Sequence, residues 1–210
     1  MGRPRIYTNE ADKQAAYRIR HTLRNSDNVT PQLPLSAHDG NSDDSYTPAF
    51  VIRAARAALG RIDLDPASSQ IAQATVRATT WCGLDHPEQN RRDGLAVPWS
   101  GRLWLNPPFS PGYQMRFATK LLTAYDAGDV IAACMIAKAD VSTAYSQLLR
   151  LHSTASCWPK PRLSFTQPYK KQTPDGKAKK GSPDFATIIW YLGSSPGRFI
   201  AAFSKIGDTR

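Results

Sequence analysis

Cysteine, acidic side chains and long apolar runs are all scarce in this chain. Its three cysteines, Cys82, Cys134 and Cys157, are odd in number and stand at unrelated spacings. That argues against a disulfide framework and for a reducing compartment. No apolar run approaches the roughly 18 residues that crossing a bilayer requires. Met1 to Arg20 lacks the apolar core of a signal peptide, so a cytoplasmic location is expected. Acidic residues number 17 against 27 lysines and arginines, a formal net charge of +10. Such an excess favours a polyanionic partner, because clustered cations gain by displacing counterions from phosphates. Cys82 and His86 stand close together, but no second ligand pair follows them, so no metal is expected. The histidines share no spacing, and none is assigned a catalytic role.

From Asn25 to Ser45 the chain is dense in Ser, Asn, Asp, Pro and Gly, too poor in apolar surface to offset the entropy of ordering. Residues 1–45 therefore read as a basic N-terminal arm, with a short helix from about Asn9, followed by a flexible linker. Residues 46–210 read as one domain. Within it, Thr47 as N-cap and Pro48 in the first turn open a helix. Its apolar face is Phe50, Val51, Ala54, Ala58 and Leu59, and it ends at Gly60. Arg61 to Asp65 reads as a strand stopped by Pro66, and Leu103 to Leu105 as a strand stopped at Asn106-Pro107-Pro108. Ser110 and Pro111 open a helix with Phe117, Leu121, Leu122 and Tyr125 on one side, closed by Gly128. The unbroken apolar run Val130 to Ala137 is a strand covered on both faces. Asp140 caps a further helix through Leu148 and Leu149, and Phe185 to Leu192 is a late strand. The alternation predicts an α/β fold with a mostly parallel central sheet and helices on both faces.

In such a sheet, ligands bind beyond the carboxyl ends of the strands. Two loops leave from there, Asp65-Pro66-Ala67-Ser68-Ser69 and Asn106-Pro107-Pro108-Phe109, and their placement predicts one shared cleft. The second loop resembles the catalytic [DNS]PP[YFW] tetrapeptide of the amino-group DNA methyltransferases. These enzymes move a methyl group from S-adenosylmethionine to adenine N6 or cytosine N4. The ordered set of Tyr46-Thr47-Pro48, Asp63 to Ser68, Asp93-Gly94-Leu95, Pro98-Trp99 and Leu103 to Phe109 is similar to the small phage-type adenine methyltransferases of the Dam family. Arg162 to Phe165, and Ser182-Pro183 before a Trp-containing strand, extend the similarity to about Gly193.

This resemblance implies a compact Rossmann-like methyltransferase fold, adenine in double-stranded DNA as substrate, and the cytoplasm of a bacterial or phage-infected cell. It implies that Asp65, Pro66, Ala67 and Ser68 line the methionine end of S-adenosylmethionine. Tyr46, Thr47 and Pro48 lie near by, and Asp93 lies towards the nucleoside. Asp63 is the alternative to Asp65, since alternation along a strand points both carboxylates the same way. The loop departs from the usual binding turn of this cofactor, having Pro-Ala-Ser-Ser where glycines stand.

The chemistry of the tetrapeptide is readable without the family. An exocyclic ring amine is a poor nucleophile because its lone pair is delocalised. When acceptors hold both of its hydrogens, the nitrogen pyramidalises and aims that pair at a methyl donor. Asn106 supplies a side-chain oxygen, and the carbonyl of Pro107 a second acceptor. Pro107 and Pro108 lock the backbone in place. Phe109 offers a flat face for a base swung out of the duplex, worth about 1–3 kcal/mol of stacking.

Basic residues return late in the chain. Lys160, Arg162, Lys170, Lys171, Lys177, Lys179 and Lys180 face the single acid Asp175, with Trp158, Phe165 and Tyr169 interleaved. This loop around 160–182 reads as a clamp on the phosphate backbone. Gly2-Arg3-Pro4-Arg5 resembles the core of an AT-hook, whose arginines lie in a narrow minor groove. The expected DNA contacts are therefore Arg3, Arg5, Arg162, Lys170, Lys171, Lys177, Lys179 and Lys180. Two other readings stay open: a protein glutamine methyltransferase, and a non-catalytic DNA-binding protein on a degenerate methyltransferase frame. Adenine and cytosine amines make the same demand on Asn106, so only the family resemblance favours adenine.

Overall fold

Side-chain alternation along the central strands splits the core into two layers, one on each face of the sheet. The structure is a computed structural model that describes residues 45–166, 180–181 and 185–210. The expectations for the N-terminal arm, including Arg3 and Arg5, and for Lys170, Lys171, Lys177 and Lys179 lie outside the described residues, as does the side chain of Lys180.

The order of elements is α1 (Ala49–Leu59), β1 (Leu64–Asp65), α2 (Gln70–Val76), β2 (Thr80–Trp81), β3 (Gly101–Leu105), α3 (Tyr113–Ala127), β4 (Val130–Lys138), α4 (Ala144–His152), β5 (Ala155–Pro159), β6 (Phe165–Thr166), β7 (Lys180–Gly181), β8 (Thr187–Leu192), α5 (Pro196–Phe203) and β9 (Gly207–Thr209). A seven-stranded sheet runs β2-β1-β3-β4-β8-β5-β9, and β6 pairs with β7 in a separate ribbon. Pairing is parallel from β2 through β4 and antiparallel where β8 slots between β4 and β5 and where β9 closes the edge. The sheet is thus mixed, with its parallel half holding the two proline-stopped strands.

On one face, Trp104, Cys134, Ile136, Ile189 and Tyr191 pack under α1 and α5. On the other, Leu103, Leu105, Ala133, Met135, Ile188 and Trp190 pack under α3 and α4. Burial on both faces explains the unbroken apolar run of β4: odd and even residues alike meet a helix.

Some local expectations shift. Helix α1 begins at Ala49 with Pro48 before it and no side-chain cap. Its buried face is Val51, Ile52, Ala54, Ala55, Ala58 and Leu59, while Phe50 is 46% exposed. The strand expected over Arg61–Asp65 contracts to two residues. The Asp63 carboxylate turns aside to accept the Arg102 amide at 2.8 Å and the Arg61 Nε at 2.5 Å. Asp140 caps no helix; it accepts the Ser142 amide in a local turn, and α4 starts four residues later. Helix α3 closes, as read, at Gly128, whose φ of 87° is the left-handed conformation that glycine adopts without strain.

Candidate active site

β1 and β3 are parallel neighbours with Leu64 level with Leu103, so the loops that leave them emerge side by side. Between these loops lies a cavity of about 620 Å³. Its lining includes Asp65 and Ser68 from the first loop, Asn106 and Pro108 from the second, Thr47 ahead of α1, and Asp93. Tyr46, Pro48, Pro66 and Ala67 line it too. A hollow of this size is in the range that holds a cofactor-sized ligand, about 300–1,000 Å³.

The first loop is built around a buried carboxylate. Asp65 is 2% exposed, and Pro66 ends its strand. Ala67 N–H donates to Asp65 Oδ1 at 3.3 Å, and Gln73 Nε2, from α2, to Oδ2 at 3.2 Å. The same Gln73 nitrogen reaches Ser68 Oγ at 2.7 Å, while Gln73 Oε1 accepts the Ala78 amide. Burial pushes the Asp65 carboxyl up to about 7, since desolvation disfavours its charged form more than the bonds from Ser68, Ala67 and Gln73 favour it. Ser69 caps α2 through the Ala72 amide.

The glycines missing from this loop come from elsewhere. A Cβ on Gly94 would lie 1.7 Å from the Pro66 oxygen, and one on Gly83 would lie 2.0 Å from the Ser68 oxygen. Two other segments therefore press their bare backbones onto the loop. Asp93 accepts the Leu95 amide at 2.8 Å, and Lys120 Nζ caps the Leu95 and Val97 carbonyls at 2.5 and 2.6 Å.

The second loop presents an acceptor with nothing to accept. Asn106 Nδ2 donates to the Ser45 carbonyl at 2.7 Å. A carbonyl only accepts, so this bond fixes which end of the amide is which. Asn106 Oδ1 is then left buried with no hydrogen-bond partner among the described residues, and Thr47 Oγ1 is in the same state. Buried polar groups are ordinarily paired, and one left without a protein partner is a place for water or a ligand to bond; Asn106 and Thr47 are the residues with such atoms that line the cavity among the described residues. Ser45 itself is held because Tyr46 pairs with Thr166 of β6 through bonds of 2.9 and 3.1 Å.

Three expectations are corrected. Asp63 does not line the cavity; its carboxylate faces Arg61 and Arg102, so Asp63 and Asp65 part despite their spacing. The chain bends at Asp63, so strand alternation does not apply there. Phe109 is 7% exposed and packs against Phe165 and Phe185, with ring centroids 5.8 and 4.8 Å away, in the apolar core. It offers no free face to a base. Aromatic residues that do line the cavity are Tyr46, Trp104, Tyr113 and Phe117; Tyr113 is half-buried, with the Arg116 guanidinium 5.6 Å from its ring centroid. The Pro107 carbonyl already accepts from Gln114 Nε2 at 3.2 Å, and Pro107 is absent from the cavity wall.

Sequence reasoning missed Gln73 and Gln114. Their one signal is position: each is a glutamine early in the helix that follows a proline-stopped strand. Arg162 is exposed, away from the cavity. The β6–β7 ribbon pairs Phe165 with Gly181 and Thr166 with Lys180. Cys82, Cys134 and Cys157 are buried free thiols. Among the described residues there is no grouping of three or more His, Cys, Asp or Glu able to hold a metal, and no helix long and apolar enough to cross a membrane.

No family model matches the chain, and neither does any curated protein or solved structure. The case for function therefore rests on the cavity and its chemistry.

Proposed function

We propose that the chain is an S-adenosylmethionine-dependent DNA methyltransferase of the amino-group class, acting on adenine, on a compact Rossmann-like frame. One observation carries this reading: a single hollow is lined both by a buried carboxylate, Asp65, and by Asn106, whose amide oxygen has no hydrogen-bond partner among the described residues. The donor set fits the cofactor. A half-neutral carboxyl at a strand end suits a cationic ammonium, which would draw it into the ionised form. Asp93 and the orphaned Thr47 hydroxyl offer further polar contacts for hydroxyl or ammonium groups.

When bound, the cofactor supplies an electrophilic methyl group on a sulfonium. Asn106 Oδ1 accepts one amine hydrogen of the target base, drawing the nitrogen lone pair out of conjugation. Ser45 holds the amide so that oxygen, not nitrogen, meets the amine. Tyr113 walls the same space with a planar ring. As the N–C bond forms, the bond from sulfur to the methyl group breaks and leaves a neutral thioether; the nitrogen, now carrying the positive charge, is acidic enough to shed its proton to water, so no strong base is needed. Holding both reactants in one cavity supplies much of the acceleration. The +10 charge supports a DNA substrate, drawing the polyanion to the surface.

Incubation with labelled S-adenosylmethionine and mixed-sequence duplexes should yield labelled N6-methyladenine, and Asn106→Ala should abolish it. Cofactor binding by calorimetry with no labelled DNA in any sequence context would reject the reading; label on cytosine would correct the base.

A further inference from the structure

Gln114 lies in the first turn of α3, 4% exposed, behind the tetrapeptide and outside the cavity wall. Its Nε2 donates to the Pro107 carbonyl at 3.2 Å and to the Pro108 carbonyl at 3.1 Å. One donor that reaches both carbonyls ties the two residues to α3 at successive points. Neither proline has an N–H of its own to anchor it. The other end of the carboxamide, Oε1, is buried without a partner among the described residues. An apolar side chain of the same shape would fill this space without that cost, so packing alone does not explain an amide here.

We infer that Gln114 is a positioning residue: by fixing the Pro107–Pro108 peptide it sets the position of Asn106, which lines the cavity. The inference rests on the methyl-transfer reading above. It assigns Gln114 no contact with cofactor or base.

The test compares Gln114→Met and Gln114→Glu with the wild type, using labelled S-adenosylmethionine and mixed-sequence duplexes. Gln114→Met keeps the volume and removes the donor. Its kcat should fall about 10- to 100-fold, the scale of a small misplacement of reacting groups, while KM and calorimetric cofactor affinity stay unchanged. Gln114→Glu sets a carboxylate against two carbonyl oxygens, and only its protonated form donates. Its rate relative to the wild type at each pH, a ratio that cancels the titration of Asp65, should climb as pH falls.

Full kcat in a folded variant overturns the inference. So does loss of cofactor affinity in step with kcat and without recovery at low pH, the mark of a purely structural role. Should Gln114→Met fail to fold, the pH ratio of Gln114→Glu decides. A wild type that labels no DNA, or an Asn106→Ala variant as fast as the wild type, overturns the methyl-transfer reading and this inference with it. An Asn106-dependent enzyme indifferent to Gln114 overturns this inference alone.

Discussion

The loops after β1 and β3 share one cavity and one local plan, yet they treat their polar atoms in opposite ways. Each is stiffened by proline, and each is followed by a helix whose early glutamine reaches back onto it. In the first loop the donors converge on the carboxylate: Ala67 and Gln73 both bond Asp65. In the second, Gln114 bonds the backbone, and Asn106 Oδ1 has no partner among the described residues. One loop stores an incompletely stabilised charge, and the other an unmet hydrogen bond. Two ligands held side by side, one carrying a cation and the other an amine hydrogen, would relieve both costs.

Breaking the second loop should have the largest effect. Asn106→Ala should lower kcat by about 10²–10³, the usual cost of removing one preorganised polar contact to the reacting group. Cofactor affinity should hardly change, as checked by labelled methyl transfer and calorimetry.

The first loop is most exposed to a change in the segments pressed against it. Gly94→Ala places a methyl group on the Pro66 oxygen. It should cost about 3 kcal/mol in denaturant unfolding and weaken cofactor binding as Asp65 shifts. Gly112→Ala has open space around it and should lose only the roughly 1–2 kcal/mol of a left-handed backbone.

The stored charge itself can be measured. Burial pushes the Asp65 carboxyl from the ordinary carboxylate range up to about 7 in the folded chain. The folded state therefore binds the proton more tightly than the unfolded chain. This contribution to stability is present at low pH and is lost as pH rises through about 7. The loss between about pH 5 and pH 8 should be about 2–3 kcal/mol, and Asp65→Asn should remove that slope while abolishing cofactor binding. Cofactor affinity of the wild type should rise over the same window, because the cation needs the ionised carboxylate. Denaturant midpoints and calorimetry across pH check both.

The smallest effect should come from Phe109→Leu, which keeps most of the apolar volume and should cost about 1 kcal/mol of stability with kcat little changed. A large loss of kcat there, with none in Tyr113→Leu, would restore Phe109 as the stacking face.

Much of this arrangement was legible in the residues. Pro66 and Pro107 mark strand ends wherever they fall, because proline has no N–H to give a sheet, and the run Val130–Ala137 marks a strand covered on both sides. Less legible was anything that needs a second segment to be decided. Asp63 and Asp65 are equivalent by spacing, and only the Arg102 amide, arriving from β3, takes Asp63 away from the cavity. Phe109 reads as a free face until Phe165 and Phe185 are brought onto it from more than fifty residues away.

By itself, then, the sequence determined an α/β chain with a carboxylate and an amide at the tips of two proline-stopped strands, since these follow from local covalent geometry and periodicity. Only the tertiary structure decided which carboxylate faces inward, which aromatic residues line the hollow, and that bare glycine backbone from Gly83 and Gly94 braces a loop with no glycine of its own. Burial and hydrogen bonding at each of these places depend on distant segments meeting, and no local pattern records that.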